Sequence, residues 1–186
     1  VARSMSITGS TLYVGGNFTT VNGGTVRNHL AAFDTSTSTA TSFNPNVNGD
    51  IYGVNLTGST LYVGGTFTGV NGSTTRNFLG AVDSNSGAAL SFNPNLNNPV
   101  SSIAISGSTL YAGGTFTTVN GGTTRNRLAA FDTSTSTATS FNPNLNNASF
   151  TLYLSGSTLY VGGMFNTVNG ATSRSKVAAF DTSTGT

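Results

Sequence analysis

The chain has 186 residues, a formal net charge of +2 and no cysteine, and only 6% of its residues are charged. Without cysteine, neither a disulfide framework nor a thiolate metal site can form, and the seven basic residues make no run that would bind nucleic acid. No segment approaches the roughly 20 consecutive apolar residues of a membrane span, so we expect no membrane insertion.

One segment returns four times at a constant spacing. Residues 8–16 read TGSTLYVGG, and near-copies begin at Thr57, Ser106 and Ser155. Equal spacing without insertions indicates identical loops in every copy, which is typical of a closed ring or a stacked array. We therefore expect a single repeat domain over residues 1–186, with units at about 1–49, 50–98, 99–147 and 148–186.

Each unit contains four short segments with strand character, and no segment has a helical period. In the first unit they are residues 4–7, 12–16, 30–34 and 41–43. The glycine pair that ends the second segment permits a bulge or a close backbone approach, and Asn-Gly-Gly at 22–24 predicts a loop with positive φ. The pattern predicts an all-β fold: a β-propeller-type array of four 49-residue, four-stranded antiparallel blades, either a four-bladed ring or half of a larger ring.

The fourth strand is expected to lie at the outer edge of its blade, because the proline of Asn44-Pro45-Asn46 cannot donate to a ladder. Phe43 recurs as Phe92 and Phe141 but has no counterpart in the last unit. We therefore expect the last blade to lack its outer strand. The alternatives are a continuing chain, a strand supplied by another molecule, and an exposed edge.

The repeated motifs resemble two known families. LYVGG followed by LAAFD is similar to a kelch blade, although Phe43 stands where kelch usually has Trp. A closer resemblance is to the bacterial delta-60 repeat, on the motifs VGGTFTGVNG at 63–72, RNFLG at 76–80 and SFNP at 91–94. This resemblance covers the whole chain. It implies a β-propeller in large secreted or surface-attached bacterial proteins, and it brings no catalytic residue with it.

Two charged residues recur once per unit. An aspartate at the end of the third strand should cap the Ser/Thr turn that follows it, with a calcium ligand as the alternative. An arginine seven residues earlier should hydrogen-bond loop to strand or blade to blade, with an anion-binding ring as the alternative. The residues with these expected structural roles are Asp34, Asp83, Asp132 and Asp181, and Arg27, Arg76, Arg125 and Arg174.

Positions where the four units differ are candidates for ligand binding, because repeat packing does not dictate them. One set consists of Arg3, Tyr52 and Phe150, with Ser101 as its fourth member; the other consists of His29, Phe78, Arg127 and Lys176. On one rim such a set would form a mixed aromatic and basic patch. Ordinary surface variation is the alternative, and we expect the second set to be exposed to solvent.

The expected function is non-enzymatic. A glycosidase needs two carboxylates about 5 to 9.5 Å apart, whereas the repeated aspartates belong to different blades, and His29 is the single histidine. We expect no catalytic residue, no metal and no cofactor. The interpretation is an extracellular or cell-surface, structural, self-assembling or adhesive bacterial module, which binds further repeats or copies of itself. The alternative is a lectin-like propeller that binds carbohydrate or peptide.

Overall fold

The computed structural model describes residues 1–186, and every regular element in it is a β-strand. None of its segments is a helix of the length and apolar character needed to span a membrane. The chain forms two compact units, Val1–Asn93 and Pro94–Thr186, and each unit contains two main sheets, numbered 1 to 4 in chain order. The expected all-β architecture of repeated antiparallel sheets is therefore confirmed.

The first unit contains sheets 1 and 2. Sheet 1 has the strand order β1-β2-β5-β6 and sheet 2 the order β7-β8-β11, while β3-β4 and β9-β10 are two-stranded ribbons. The strands are β1 (Ala2–Thr8), β2 (Thr11–Gly16), β3 (Thr20–Val21), β4 (Thr25–Val26), β5 (Leu30–Asp34), β6 (Thr39–Ala40), β7 (Ile51–Thr57), β8 (Thr60–Gly65), β9 (Gly69–Val70), β10 (Thr74–Thr75) and β11 (Leu79–Asp83).

The second unit repeats this plan in sheets 3 and 4. Sheet 3 has the order β12-β13-β16 and sheet 4 the order β17-β18-β21, and the ribbons are β14-β15 and β19-β20. The strands are β12 (Val100–Ser106), β13 (Thr109–Gly114), β14 (Thr118–Val119), β15 (Thr123–Thr124), β16 (Leu128–Asp132), β17 (Ser149–Ser155), β18 (Thr158–Gly163), β19 (Thr167–Val168), β20 (Thr172–Ser173) and β21 (Val177–Asp181).

The predicted fourth strand at residues 41–43 is wrong. In sheet 1 the residues that pair with the third strand lie earlier in the chain, at Thr39–Ala40. In sheets 2 and 3 only a single bridge is formed at this position. Sheets 2, 3 and 4 are therefore three-stranded. Phe43 instead lies on an irregular segment, where its ring is buried edge-on against Tyr13 with the centroids 5.4 Å apart. The side chain that suggested a strand fills the core from a connecting segment.

The first strand of every sheet is bulged opposite the paired glycines of the second strand. In sheet 1, Ala2 pairs with Gly16 and Ser4 with Gly15, which leaves Arg3 as the extra residue. A Cβ atom on Gly16 would lie 2.1 Å from the carbonyl oxygen of Val1, so only glycine fits this approach. The close backbone contact that the glycine pair predicts is present.

The core of each unit lies between its two sheets. We call the side of sheet 1 that packs against sheet 2 the front face of sheet 1, and the side of sheet 2 that packs against sheet 1 the rear face of sheet 2. Every sheet has a front and a rear face, which carry the residues at the equivalent repeat positions. The front face of sheet 1 contributes Tyr13, Leu30 and Ala32, and the rear face of sheet 2 contributes Val54, Leu61, Val63 and Val82. The second unit packs its equivalents in the same way.

Two hydrogen bonds recur at this front-to-rear interface. The hydroxyl of Tyr13 donates to the carbonyl of Ser84 (3.0 Å), and that of Tyr111 donates to the carbonyl of Thr182 (3.3 Å). In addition, the amide of Val54 donates to Ser4 Oγ at 3.0 Å. The equivalent bond of the second unit joins the Leu152 amide to Ser102 Oγ at 3.2 Å. The chain thus builds the same interface once in each unit.

Candidate functional site

Each repeated aspartate is bonded within its own turn. Asp34 Oδ1 accepts from the Ser36 hydroxyl (2.5 Å), the Ser36 amide (2.8 Å) and the Thr37 amide (3.1 Å). Asp83, Asp132 and Asp181 bond the second and third residues after them in the same way. These are the contacts of a turn cap, because a short acidic side chain satisfies backbone amides that the sheet leaves unpaired.

These bonds also set the ionisation of the aspartates. Hydroxyl and amide donors stabilise the charged form, so the pKa of each of the four carboxyls lies below its ordinary value of 3.8. The largest contribution to the lowered pKa of Asp34 comes from the Ser36 hydroxyl, and for Asp83 it comes from the Ser86 amide. The carboxylates are ionised at neutral pH and are already bonded to protein donors.

Three of the four repeated arginines connect their ribbon to the segment that follows the third strand. Arg27 donates from Nη1 to the carbonyl of Val26 (2.8 Å) and from Nη2 to that of Thr41 (2.5 Å). Arg76 and Arg125 donate to the two backbone carbonyls at the equivalent positions of their own repeats, and Arg174 donates to the carbonyl of Ser173. Because these guanidinium groups donate to backbone carbonyls of their own repeat, they serve as loop-to-strand links.

The first variable set lies at the strand bulges. Arg3, Tyr52, Ser101 and Phe150 are the extra residues of β1, β7, β12 and β17. In the first unit this places Arg3 beside Tyr52, with the guanidinium carbon 4.9 Å from the ring centroid. A cation stacked on an aromatic ring is a compact, amphipathic feature that can contact a sugar or a peptide.

The second variable set shares an unusual backbone conformation. His29, Phe78, Arg127 and Lys176 all have positive φ, between 64° and 70°. The expectation that they are exposed is wrong for the first three, which are half-buried, and holds for Lys176. Backbone bonds explain the conformation: the amide of His29 donates to the carbonyl of Phe18 (2.8 Å), and its own carbonyl accepts from the Gly16 amide (2.9 Å).

The side chains of this second set fold back onto the chain. His29 Nδ1 lies 3.3 Å from Asp50 Oδ1 and 3.3 Å from the carbonyl oxygen of Gly16. Arg127 donates to the carbonyl of Phe116 at 3.3 Å, and Lys176 donates to that of Met164 at 3.4 Å. Three unlike side chains therefore contact the equivalent part of their own repeats, at or just after the end of the second strand.

The rear face of sheet 1 is apolar and exposed. Met5 is 64% exposed, whereas its equivalent Val54 on the covered rear face of sheet 2 is 7% exposed. Ile7 is exposed as well, and Leu12 and Phe33 are half-buried. Met5, Leu12, Phe33 and Val14 line an open groove of about 480 Å³ on this face. Exposed apolar patches of this kind mark interaction surfaces.

The front face of sheet 4 is also apolar and exposed. Tyr160 is 45% exposed, whereas its equivalent Tyr111 on the covered front face of sheet 3 is 3% exposed. Val177 and Tyr153 are exposed beside it, and the rings of Tyr153 and Tyr160 lie 6.4 Å apart. A Cβ atom on Gly162 of this face would meet only Thr151 of the same sheet, whereas one on Gly113 would meet residues of sheet 4.

Neither exposed face was among the sequence-predicted sites. Their residues, among them Met5, Tyr160 and Val177, match the core positions of the other repeats, so the sequence alone assigns them to the core.

Comparison with solved structures shows which folds are similar. The chain superposes on the computationally designed Ika4 protein with a TM-score of 0.64 and 10% sequence identity, covering 97% of this chain and 91% of that one. For the computationally designed Ika8 protein the TM-score is 0.61 and the identity 11%, covering 100% of this chain and 59% of that one. At such identities the likeness concerns the fold alone. No protein-family model and no curated protein matches the chain.

Proposed function

We propose that the chain is a non-enzymatic structural module that assembles with further copies of itself by stacking sheets front to rear. The observation that carries this proposal is the pair of apolar faces, on sheets 1 and 4, which match the two halves of the interface inside each unit. The repeated Asp and Arg side chains support it, because they are bonded to their own backbone rather than directed to a shared centre.

The proposed arrangement is a propeller-type array around an axis, with the first strand of every sheet innermost. In support of this, the first strands of sequential sheets meet within a unit: Ser4 of β1 bonds the Val54 amide of β7, and Arg3 of β1 stacks on Tyr52 of β7. Four-stranded or shorter sheets that contact along their first strands are typical of propellers. As the delta-60 resemblance and the scarcity of charged residues suggest, we place the module outside a bacterial cell.

Sedimentation velocity from low micromolar concentration to the solubility limit tests the proposal. The expected result is a discrete or growing assembly whose fraction rises with concentration. A chain that sediments as a monomer throughout the range would contradict self-assembly. Circular dichroism of the same samples checks that they keep the β-rich fold.

The second candidate function is binding of carbohydrate or peptide, and the stack of Arg3 on Tyr52 favours it. An aromatic ring covered by a cation offers one face for sugar stacking and nearby donors for hydroxyl groups. A glycan array should then show signals that fall when Tyr52 is changed to Ala and persist in the control Tyr153→Ala. An array without signal at high protein concentration would remove a glycan as the ligand.

A further inference from the structure

The two exposed apolar faces are the two complementary halves of one recurring interface. Inside the first unit, the front face of sheet 1 covers the rear face of sheet 2, and inside the second unit sheet 3 covers sheet 4 in the same way. The rear face of sheet 1 and the front face of sheet 4 carry the residues equivalent to those of these interfaces, and both faces are exposed.

We propose that the front face of sheet 4 binds the rear face of sheet 1 of a second copy, head to tail, in the register of the interfaces inside the units. This inference rests on the proposed function, because it specifies which faces the assembly uses. The contact is heterologous, so each copy offers one face of each kind and can bind a neighbour on both sides.

The repeat register specifies the hydrogen bonds of this contact. Tyr160 is equivalent to Tyr13 and Tyr111, whose hydroxyls donate to the carbonyls of Ser84 and Thr182. The matching position on sheet 1 is Thr35, so the Tyr160 hydroxyl should donate to the Thr35 carbonyl of the second copy. Thr35 lies beside the apolar groove on the rear face, where a ring from the opposing sheet would enter.

A second bond follows from the same register. In both units a first-strand residue on the rear face, two positions after the bulge, donates its amide to a serine hydroxyl on the preceding sheet. Val54 donates to Ser4 Oγ, and Leu152 donates to Ser102 Oγ. The equivalent pair at the new contact is the Met5 amide of one copy and Thr151 Oγ1 of the other. Threonine retains the hydroxyl that this bond requires.

The composition of the two faces favours a second copy over a dissimilar partner. Both faces expose apolar side chains: Met5 and Ile7 on the rear face, and Tyr153, Tyr160 and Val177 on the front face. Inside each unit, a front face with these residue types packs against a rear face with these residue types. Every copy of the chain therefore carries the surface that is complementary to each exposed face.

Two single variants break the faces separately. Met5→Asp places a charge on the rear face and Val177→Asp places one on the front face, and both side chains are more than 60% exposed, so the fold should tolerate them. The matched control is Val26→Asp, because Val26 is 58% exposed and lies outside both faces, on ribbon strand β4. Circular dichroism and thermal unfolding at low concentration confirm that each variant is folded.

Sedimentation velocity of the variants alone and mixed tests the inference. We expect each face variant to bind itself at least about a hundredfold more weakly than the wild type, since a buried unpaired charge removes the contact. The control should assemble like the wild type. An equimolar mixture of Met5→Asp and Val177→Asp should form a 1:1 heterodimer, because the mixture retains one intact face of each kind.

The outcomes separate this inference from the proposed function. A monomeric wild type would contradict both. An assembling wild type whose face variants still assemble alone, or whose mixture forms no heterodimer, would overturn the head-to-tail contact and leave self-assembly standing. A wild type that stays monomeric while Met5→Asp lowers its thermal stability would show that the two faces pair within one chain, which also overturns binding of a second copy.

The register has a test of its own. Tyr160→Phe removes the hydroxyl and keeps the ring, so it should weaken assembly by about threefold to tenfold. Tyr153→Phe is the control, since Tyr153 occupies the position of Ser6, which makes no such bond in the first unit. Equal effects of the two variants would exclude the proposed register.

Discussion

Changing Val161 and Val177 separately to alanine compares the covered and the uncovered face of one sheet. Both valines belong to sheet 4, on the neighbouring strands β18 and β21, where Val161 pairs with Ala178 and Val177 with Gly162. Val161 is 1% exposed on the rear face, in the core with sheet 3, and Val177 is 65% exposed on the front face. Because the substitution is the same at both positions, the effects of residue type and strand preference largely cancel when the two changes in unfolding free energy are compared.

The two variants should differ by about 2 kcal/mol in free energy of unfolding. Val→Ala removes two carbon atoms, worth about 0.8 kcal/mol each when they are buried, and the cavity that remains at Val161 adds up to about 1 kcal/mol. We therefore expect Val161→Ala to lose about 2 to 2.5 kcal/mol. Val177→Ala should lose about 0.5 kcal/mol or less, mainly through the lower strand preference of alanine.

Urea unfolding followed by far-ultraviolet circular dichroism measures both values. Both variants are made in the Met5→Asp chain and measured at low concentration, so that self-assembly does not contribute to the measured free energy of unfolding. A difference between the variants below about 1 kcal/mol would refute the assignment of covered and uncovered faces. In the unmodified chain at high concentration, Val177→Ala should cost more than at low concentration.

Two further predictions concern the repeated polar residues. Arg76→Gln should lower the free energy of unfolding by about 1 to 3 kcal/mol, because the carbonyls of Thr75 and Leu90 lose their charged donor, and Arg174→Gln should lower it less, because Arg174 bonds one carbonyl. Thermal unfolding of the two variants checks this, and equal losses would contradict it. The second prediction concerns acid: because the pKa of each repeated aspartate is lowered in the folded chain, its stabilising effect is complete above about pH 3.8 and is lost as the pH falls further. The urea midpoint should therefore fall in this range, and a variant with Asn in place of Asp34, Asp83, Asp132 and Asp181 should show a flatter profile.

The sequence predicts the sheets well because their signals are local. The first two main strands of each repeat follow from short runs that end at Gly-Ser or Gly-Gly, and the third follows from an apolar run that ends at the repeated aspartate. The loop at Asn22-Gly23-Gly24 has the positive φ values that its residues favour. The equal spacing then transfers each assignment to the other three repeats.

The missed elements are those that depend on contacts between segments. Ribbon strands such as β3 and β4 have two residues each, too few for a period to be visible. The sequence predicts a strand at Phe43 because an apolar residue among threonine and serine looks the same whether it lies in a ladder or fills a gap between sheets. Its contact with Tyr13 decides the question, and that contact joins residues 30 positions apart.

The two variable sets have a common physical explanation, which the sequence could not reveal. Arg3 and its equivalents are the extra residues of bulges, and His29 and its equivalents sit at positive φ, so in both places backbone geometry rather than side-chain packing fixes the chain. The bulge at Arg3 depends on the backbone space that Gly16 leaves for Val1 and Ala2, not on the side chain at position 3. At His29 the amide and the carbonyl are both bonded, and these bonds offset the strain of about 1 kcal/mol that a non-glycine residue has there. Side chains at both positions can therefore change without loss of the fold. A ligand-binding surface that differs from repeat to repeat would have to use these positions first.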